Sequence, residues 1–410
     1  MARLIKDNII TSIDIGTTKI CVLVARKIGD QVEIIGIGKY PSYGLAKGVV
    51  VDIAKTINSI TYAVKEAEMM AGLSIESAYI GISGAHIQSV NSNGVIPIKH
   101  GQIRQSDIAQ VLEAARSVVV PEGQQILHVL PQYFIINGQD KVKDPSGMHG
   151  VRLEVQAHII MGSVSSVQNL LNCCQSAGVS VTDIILEQLA SAAAVLSDDE
   201  REMGVGVLDI GGGTSDLALY KDGTVRHTMV LPVAGNHVTN DIAIGLRIQK
   251  SEADRIKKEY GCAAASLMEE DKCIEVEMVQ GEDLQVVLLS DLVLIIESRM
   301  RELFMLVRNE ITEHHLEKFM VNGIVLTGGG ALLSGVQKLA ESIFDCPVRI
   351  GKPRVLFDLV ETLQSPLYAT GYGLLVHVMR NEKKLKMHLA EEPLTRRVLE
   401  RMKLWVSDFF

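Results

Sequence analysis

Two short segments of the chain carry the residue types that handle polyphosphates. The first is Asp14-Ile15-Gly16-Thr17-Thr18-Lys19. The second is Asp209-Ile210-Gly211-Gly212-Gly213-Thr214-Ser215-Asp216, which begins 209 − 14 = 195 residues later. Glycine lets a backbone approach a phosphate closely and turns N–H donors toward it. Threonine and serine add hydroxyl donors, and Lys19 adds a positive charge. An aspartate beside a polyphosphate repels it unless a cation lies between. Asp14 and Asp209 are therefore read as ligands of a magnesium ion, through its waters. A plain Gly/Asp turn has the same letters. Two copies, each set between apolar runs, make that reading much weaker.

A third segment, Ile324-Val325-Leu326-Thr327-Gly328-Gly329-Gly330-Ala331, is an apolar strand that opens into three glycines. Glycines without side chains let a flat base and ribose lie on the backbone. A tight strand-to-helix turn would look the same. Taken with the two loops, the segment points to a nucleoside triphosphate, ATP with Mg2+, in a cleft between two related halves.

Elements must hold these loops. Residues 9–15, 20–26 and 32–38 are apolar and β-branched, a strand meander that places the first loop in a hairpin. Residues 204–210, 216–221 and 224–231 repeat the meander around the second loop. Residues 52–71 show helical spacing, with Asp52 as N-cap. Further helices are expected at 163–177, 187–197, 235–246, 251–260, 334–343 and 367–380. A long one runs from Ser290, as its cap, to His315. Residues 273–289 read as paired short strands and 323–327 as a single strand. Residues 84–162 break the rhythm: two short strands around Asn93–Gly94, a helix near 106–117, and strands near 125–136 and 151–161. They read as a small inserted α+β subdomain.

The bulk properties bound the function. A length of 410 residues exceeds what one compact core accommodates. The net charge of −9 argues against a non-specific nucleic-acid binder. Six cysteines without CxxC pairs argue against a zinc site or a disulfide framework, and for a reducing cytosol. The adjacent Cys173 and Cys174 read as packing. The opening MARLIKDNII lacks the apolar core of a signal peptide, and no run approaches the ~20 apolar residues of a spanning helix.

Residues 381–393 are charged and read as a linker. Residues 394–410, LTRRVLERMKLWVSDFF, are different. At ~100° per residue, Leu394, Val398, Met402, Trp405 and Phe409 share one helix face. Arg397 and Arg401 lie opposite or on its flanks. Such a helix can rest in the headgroup region of an anionic membrane, or dock on the protein's own core.

The two hairpin loops resemble the phosphate motifs of the actin/Hsp70/sugar-kinase superfamily, and Gly328–Gly330 resembles its adenosine motif. Glu187-Gln188-Leu189-Ala190-Ser191-Ala192 and Ser365–Gly373 resemble its two connecting helices. Ala253-Asp254-Arg255-Ile256-Lys257 resembles a nucleotide-contacting helix usually written A-E-x-x-K, with Asp254 in place of the glutamate. The stretches His128–Tyr133, Asp144–Glu154, Lys47–Asp52 and Tyr79–Ile87 narrow the likeness to the FtsA family of bacterial cell-division proteins, over essentially the whole chain.

The resemblance implies an α/β actin-like ATPase fold with two ribonuclease-H-like lobes. Subdomain 1A would span 1–83, 163–197 and 367–380, and the insert, 1C, would span 84–162. Subdomain 2A would span 198–234 and 301–366, and 2B 235–300. It implies nucleotide contacts at Asp14, Gly16, Thr17, Thr18, Lys19, Asp209, Gly211, Gly212, Gly213, Thr214, Asp254, Lys257, Gly328, Gly329 and Gly330. Gln188 occupies the place of a water-positioning residue, although a packing role is equally open. The resemblance also implies self-association into filaments on the cytoplasmic face of the inner membrane at the division site. The tubulin-like ring protein FtsZ would bind 2B by its C-terminal tail, and later divisome proteins would be recruited. A kinase or working ATPase of the same superfamily is the alternative; it needs a group that orients the attacking oxygen.

Overall fold

The computed structural model describes residues 9–28, 31–268, 270–277, 284–354 and 361–389. Elements follow in chain order. The first lobe opens with β1 (Ile9–Ile15), β2 (Lys19–Ile28) and β3 (Gln31–Pro41). A small hairpin, β4 (Leu45–Ala46) with β5 (Val49–Val50), leads into α1 (Ile53–Ala71) and β6 (Ser77–Ile82). Asp52 caps α1 by accepting from the Lys55 N–H, as the sequence predicts. The insert comprises β7 (Gln88–Pro97), α2 (Gln105–Arg116), β8 (Gln124–Ile136), β9 (Lys141–Val142) and β10 (Arg152–Ser163). Then come α3 (Val164–Ser176), β11 (Ser180–Leu186), α4 (Glu187–Val195) and α5 (Asp198–Met203).

The second lobe holds β12 (Val205–Ile210), β13 (Ser215–Lys221), β14 (Thr224–Leu231), α6 (Gly235–Leu246), α7 (Lys250–Tyr260), β15 (Cys273–Glu277) and β16 (Leu284–Leu288). It continues through α8 (Leu289–Glu313), β17 (Ile324–Thr327), α9 (Val336–Phe344) and β18 (Val348–Ile350), and α10 (Ala369–Leu389) returns to the first lobe.

The two main sheets have one topology. Their strand orders are β11-β6-β1-β2-β3 and β18-β17-β12-β13-β14. In each, the first three strands form an antiparallel meander and the next two pair parallel on the side of the first strand. Strands β1, β2, β12 and β13 are buried along almost their whole length. That is the pattern of strands covered by helices on both faces. α4 and α10 pack on each other between the sheets and join the core of the first lobe, whereas α6–α9 build the core of the second. Cys173 and Cys174 are fully buried in the first core, a packing role as read from the sequence.

Several expectations are corrected. β7 runs unbroken through Asn93-Gly94, with no turn there. Gly94 serves close packing: a Cβ on it would lie 2.2 Å from the Val111 carbonyl of α2. Ser290 is not the cap of α8, which starts one residue earlier; its N–H and hydroxyl both bond Asp271, a carboxylate from another segment. α10 continues to Leu389, so the segment read as a linker begins as helix. Strands β6, β11 and β18 were not foreseen. The amphipathic segment 394–410 lies outside the described residues.

The insert has its own small core around Val111, Phe134, Leu153 and Val155. Its sheet, in the order β7-β10-β8-β9, lies against β14, the edge strand of the second lobe. Ser89 Oγ donates to the Thr228 carbonyl (3.0 Å), and Gln132 Nε2 donates to the Arg226 carbonyl (3.2 Å). His158 bridges Asn91 Oδ1 (2.8 Å) and Thr228 Oγ1 (2.9 Å).

Candidate functional site

The two acidic hairpins meet between the lobes. Each turn closes with the same bond: Gly16 N–H to the Lys19 carbonyl (3.0 Å), and Gly211 N–H to the Thr214 carbonyl (2.9 Å). The offsets, 211 − 16 and 214 − 19, are both 195, so the hairpins are equal in length. Their tips touch. A Cβ on Gly212 would sit 2.2 Å from Thr18 Cγ2, and one on Gly213 would sit 2.3 Å from Thr17 Oγ1. The second loop is therefore glycine partly because the threonines of the first occupy its side-chain space.

Asp14 and Asp209 end their central strands and are both buried. Asp209 accepts from Ser191 Oγ of α4 and from Thr370 Oγ1 of α10 (2.9 Å), so both connecting helices orient it. Asp14 lies 3.8 Å from Lys19 Nζ. Burial pushes the Asp14 carboxyl up to about 6, against the pull of Lys19 and with the added push of Asp209. Asp209 is also raised by burial. Burial lifts Asp216 to about 7, although Ser83 and Thr214 hydrogen-bond it. Glu187, at the start of α4, is pushed well above the usual carboxylate range by burial and by the charges of Asp14, Asp216 and Asp209. Four carboxyls thus share one poorly solvated space, which favours protonation or a divalent cation. Among the described residues, no group of three or more His, Cys, Asp or Glu converges closely enough to chelate a metal directly.

Other expected residues sit as follows. Lys19 Nζ bonds the Leu367 carbonyl and lies 4.7 Å from the Tyr368 ring centroid, which ties the first loop to the turn before α10. Gly328 takes φ +79°, and a Cβ there would meet Asp209 Oδ1 at 2.2 Å. Gly330 packs on Ile210 and Gly329 faces Leu367, so the glycine turn wraps the end of β12. Asp254 pairs with Lys257 (2.8 Å) and Lys258 (2.5 Å), and Lys257 Nζ also donates to Thr239 Oγ1 (2.6 Å). α7 is linked to the second loop through α6, whose Gly235 and Asn236 N–H groups donate to the Gly211 and Gly212 carbonyls.

Gln188 stands at the second position of α4. It is fully buried, and its amide has no hydrogen-bond partner among the described residues. Its neighbour Glu187 joins the carboxylate cluster. Asp216, Ser83, Ser191 and Thr370 were also missed as site residues. Asp216 closes the second motif and was the most findable.

Comparison with known proteins gives the family and the fold. The "Cell division protein FtsA" of Pseudomonas aeruginosa is 43% identical over 418 aligned residues, covering 100% of both chains. The chain belongs to the FtsA family. The FtsA protein of Bacillus subtilis is 38% identical, over 92% of this chain and 85% of its own. The sequence model of the FtsA family matches residues 206–373, and a model of the "SHS2 domain inserted in FTSA" matches 84–161. Among solved structures, a PilM-PilN type IV pilus biogenesis complex matches with a TM-score of 0.66 at 16% identity, over 90% of this chain and 98% of that one. MreB5 of Spiroplasma citri bound to ADP matches with a TM-score of 0.58 at 17% identity, over 94% and 100%. These likenesses show the fold, which is actin-like. The FtsA relatives place the chain among cell-division proteins. Among the described residues, no helix is long and apolar enough to cross a membrane.

Proposed function

We propose that this FtsA-family protein binds ATP with hydrated Mg2+ between its hairpins, assembles into actin-like filaments, and tethers the FtsZ ring to the inner membrane through residues 394–410. The observation that carries the nucleotide reading is the pair of equal hairpins whose buried aspartates, Asp14 and Asp209, face one another across the lobe boundary. The cation would be held through water by these two, with Thr17, Thr18, Thr214 and the loop amides on the phosphates. Gly328–Gly330 would face the nucleoside, and Asp254 and Lys257 would stand behind it. Gln188 would position the attacking water, with Glu187 beside it in the carboxylate cluster.

In this reading residues 235–300 form the partner-facing subdomain 2B. A groove of about 490 Å³ beside β15, lined by Glu252, Arg255, Tyr260, Lys272, Cys273 and Ile274, offers the FtsZ tail both charges and an apolar floor. Val286 and Leu288 are exposed nearby on β16. Filament growth, membrane contact and recruitment of later divisome proteins at the division site complete the proposal. Half-buried apolar side chains contribute roughly 1–2 kcal/mol each, a few kcal/mol for one copy of residues 394–410, so tight membrane binding depends on many copies in one polymer.

The test is co-sedimentation with anionic vesicles, using the full chain and one ending at Pro393, each with and without Mg-ATP. The full chain should pellet and pellet best with nucleotide, while the shortened chain stays in solution. Equal pelleting of both would refute the anchor. Calorimetry of Asp14→Ala and Asp209→Ala checks the site: Mg-dependent uptake should fall roughly 10- to 100-fold in each. Unchanged uptake would refute it. Fast phosphate transfer to a small-molecule acceptor would favour the kinase reading.

A further inference from the structure

Ser83 is the last residue of the first lobe before the insert, which the family model starts at residue 84. Its side chain does not serve the first lobe. Buried at 3% exposure, it donates to Asp216 Oδ1 of the second lobe and lies 3.4 Å from Thr214 Oγ1. It is held from behind by the β4–β5 hairpin: a Cβ on Gly48 would meet the Ser83 carbonyl at 2.8 Å, and the Gly48 N–H bonds Thr17 Oγ1 (3.2 Å). The serine thus sits between both phosphate loops and the entry to the insert.

The far side of the insert is fixed to the same piece of the second lobe. Ser89, Gln132 and His158 bond Thr228 and Arg226 on β14. β14 pairs with β13, which carries Asp216; Asp216 stands opposite Val230 and Ala218 opposite Thr228. Both attachments therefore grip one hairpin, β13–β14. Covalently the insert belongs to the first lobe, where the Leu186 N–H also bonds His128 Nε2 (3.2 Å), and the Ser89, Gln132 and His158 bonds tie it to the second as well. A shift of the second hairpin relative to the first must either break the Ser83 bond or carry the insert with it.

We infer that Ser83 is a positioning residue that couples the nucleotide site to the orientation of the inserted subdomain. The inference rests on the nucleotide reading above. A ligand that draws the hairpins into one arrangement fixes Asp216 and Thr214, these fix Ser83, and Ser83 sets the start of the chain that leads into β7. Coupling requires only that the bond survives in one arrangement and not in the other.

The experiment is hydrogen exchange of the full chain, with and without Mg2+ and a non-hydrolysable ATP analogue, in the natural protein, Ser83→Ala and Ser83→Thr. The natural protein should show slower exchange along β7 and β10 when the analogue binds. Ser83→Ala, saturated with the analogue, should lose that slowing, with insert amides exchanging roughly 10-fold faster in the bound state. Ser83→Thr keeps the hydroxyl and should restore it. Three results would overturn the inference: no ligand-dependent change in the natural insert, an unchanged response in Ser83→Ala, or loss of binding in Ser83→Ala at unchanged melting temperature, which would make the hydroxyl part of the pocket. If Ser83→Ala does not fold, a Ser83→Thr response that differs from the natural one overturns it equally. Failure of the natural protein to take up the analogue at all would instead sink the nucleotide reading, and this inference with it.

Discussion

The two hairpins are equal in length, closing bond and leading aspartate, yet they divide the work. The first presents side chains at its tip, Thr17 and Thr18, and a cation, Lys19. The second presents bare backbone, Gly212 and Gly213, with Thr214 in the place of Lys19 and Asp216 in the place of Cys21. The difference follows from contact: the threonines of one loop fill the space where the other would need side chains. Two copies of one supersecondary unit can share a symmetric scaffold and still build an asymmetric site.

The strongest way to break this picture is at the brace of the second aspartate. Gly328→Val forces a β-branched residue into a left-handed backbone and against Asp209. It should cost about 3–4 kcal/mol in urea unfolding. Near-neutral behaviour would show that the glycine turn does not pin Asp209.

Tip contact is sharpened by a double-mutant cycle. Gly212→Ala should cost about 1–3 kcal/mol against Thr18. Thr18→Gly in the same chain should recover most of it, a clear departure from additivity. A purely additive pair would mean that the loops do not press on each other.

The carboxylate cluster makes a pH prediction. Unfolded carboxyls titrate near 4, while Asp14 is lifted to about 6 and Asp216 to about 7. The folded state therefore holds protons that the unfolded state releases. Stability is complete below about 4 and is lost as pH rises through 6–7, on the order of 2 kcal/mol. Melting temperature without divalent cation should fall from pH 5 to pH 8. Mg2+ or Asp216→Asn should flatten the fall, and a rise would contradict the shared burial of these groups.

The smallest effect is expected at Lys19, whose ammonium is shared among the Leu367 carbonyl, Asp14 and the Tyr368 ring. Lys19→Gln should weaken Mg-dependent nucleotide uptake by roughly 3- to 10-fold in calorimetry. A larger loss than at Asp209 would reverse the division of labour.

The fold was legible where burial on both faces left unbroken apolar runs, as in β1, β2, β12 and β13. It was obscure where the chain served another purpose. β6 contains Gly81, which makes room for Glu187: a Cβ there would lie 3.0 Å from Glu187 Cγ. β11 lies at a sheet edge and carries exposed Thr182 and Asp183. Gly94 resembled a turn because a close helix approach and a turn ask for the same residue. In the site, motif residues were legible by type. Ser83, Ser191 and Thr370 were not, since a single hydroxyl in an apolar setting has no spacing to betray it, and only the fold brings it beside a carboxylate.

The covering of β14 by the insert has a consequence for growth. An outer strand with free carbonyls is a template on which another chain can lay itself. Here Ser89 and Gln132 occupy two of those carbonyls with side chains. Sheet-to-sheet extension is thereby closed on that flank: a second chain could lengthen this sheet along β14 only by displacing the insert.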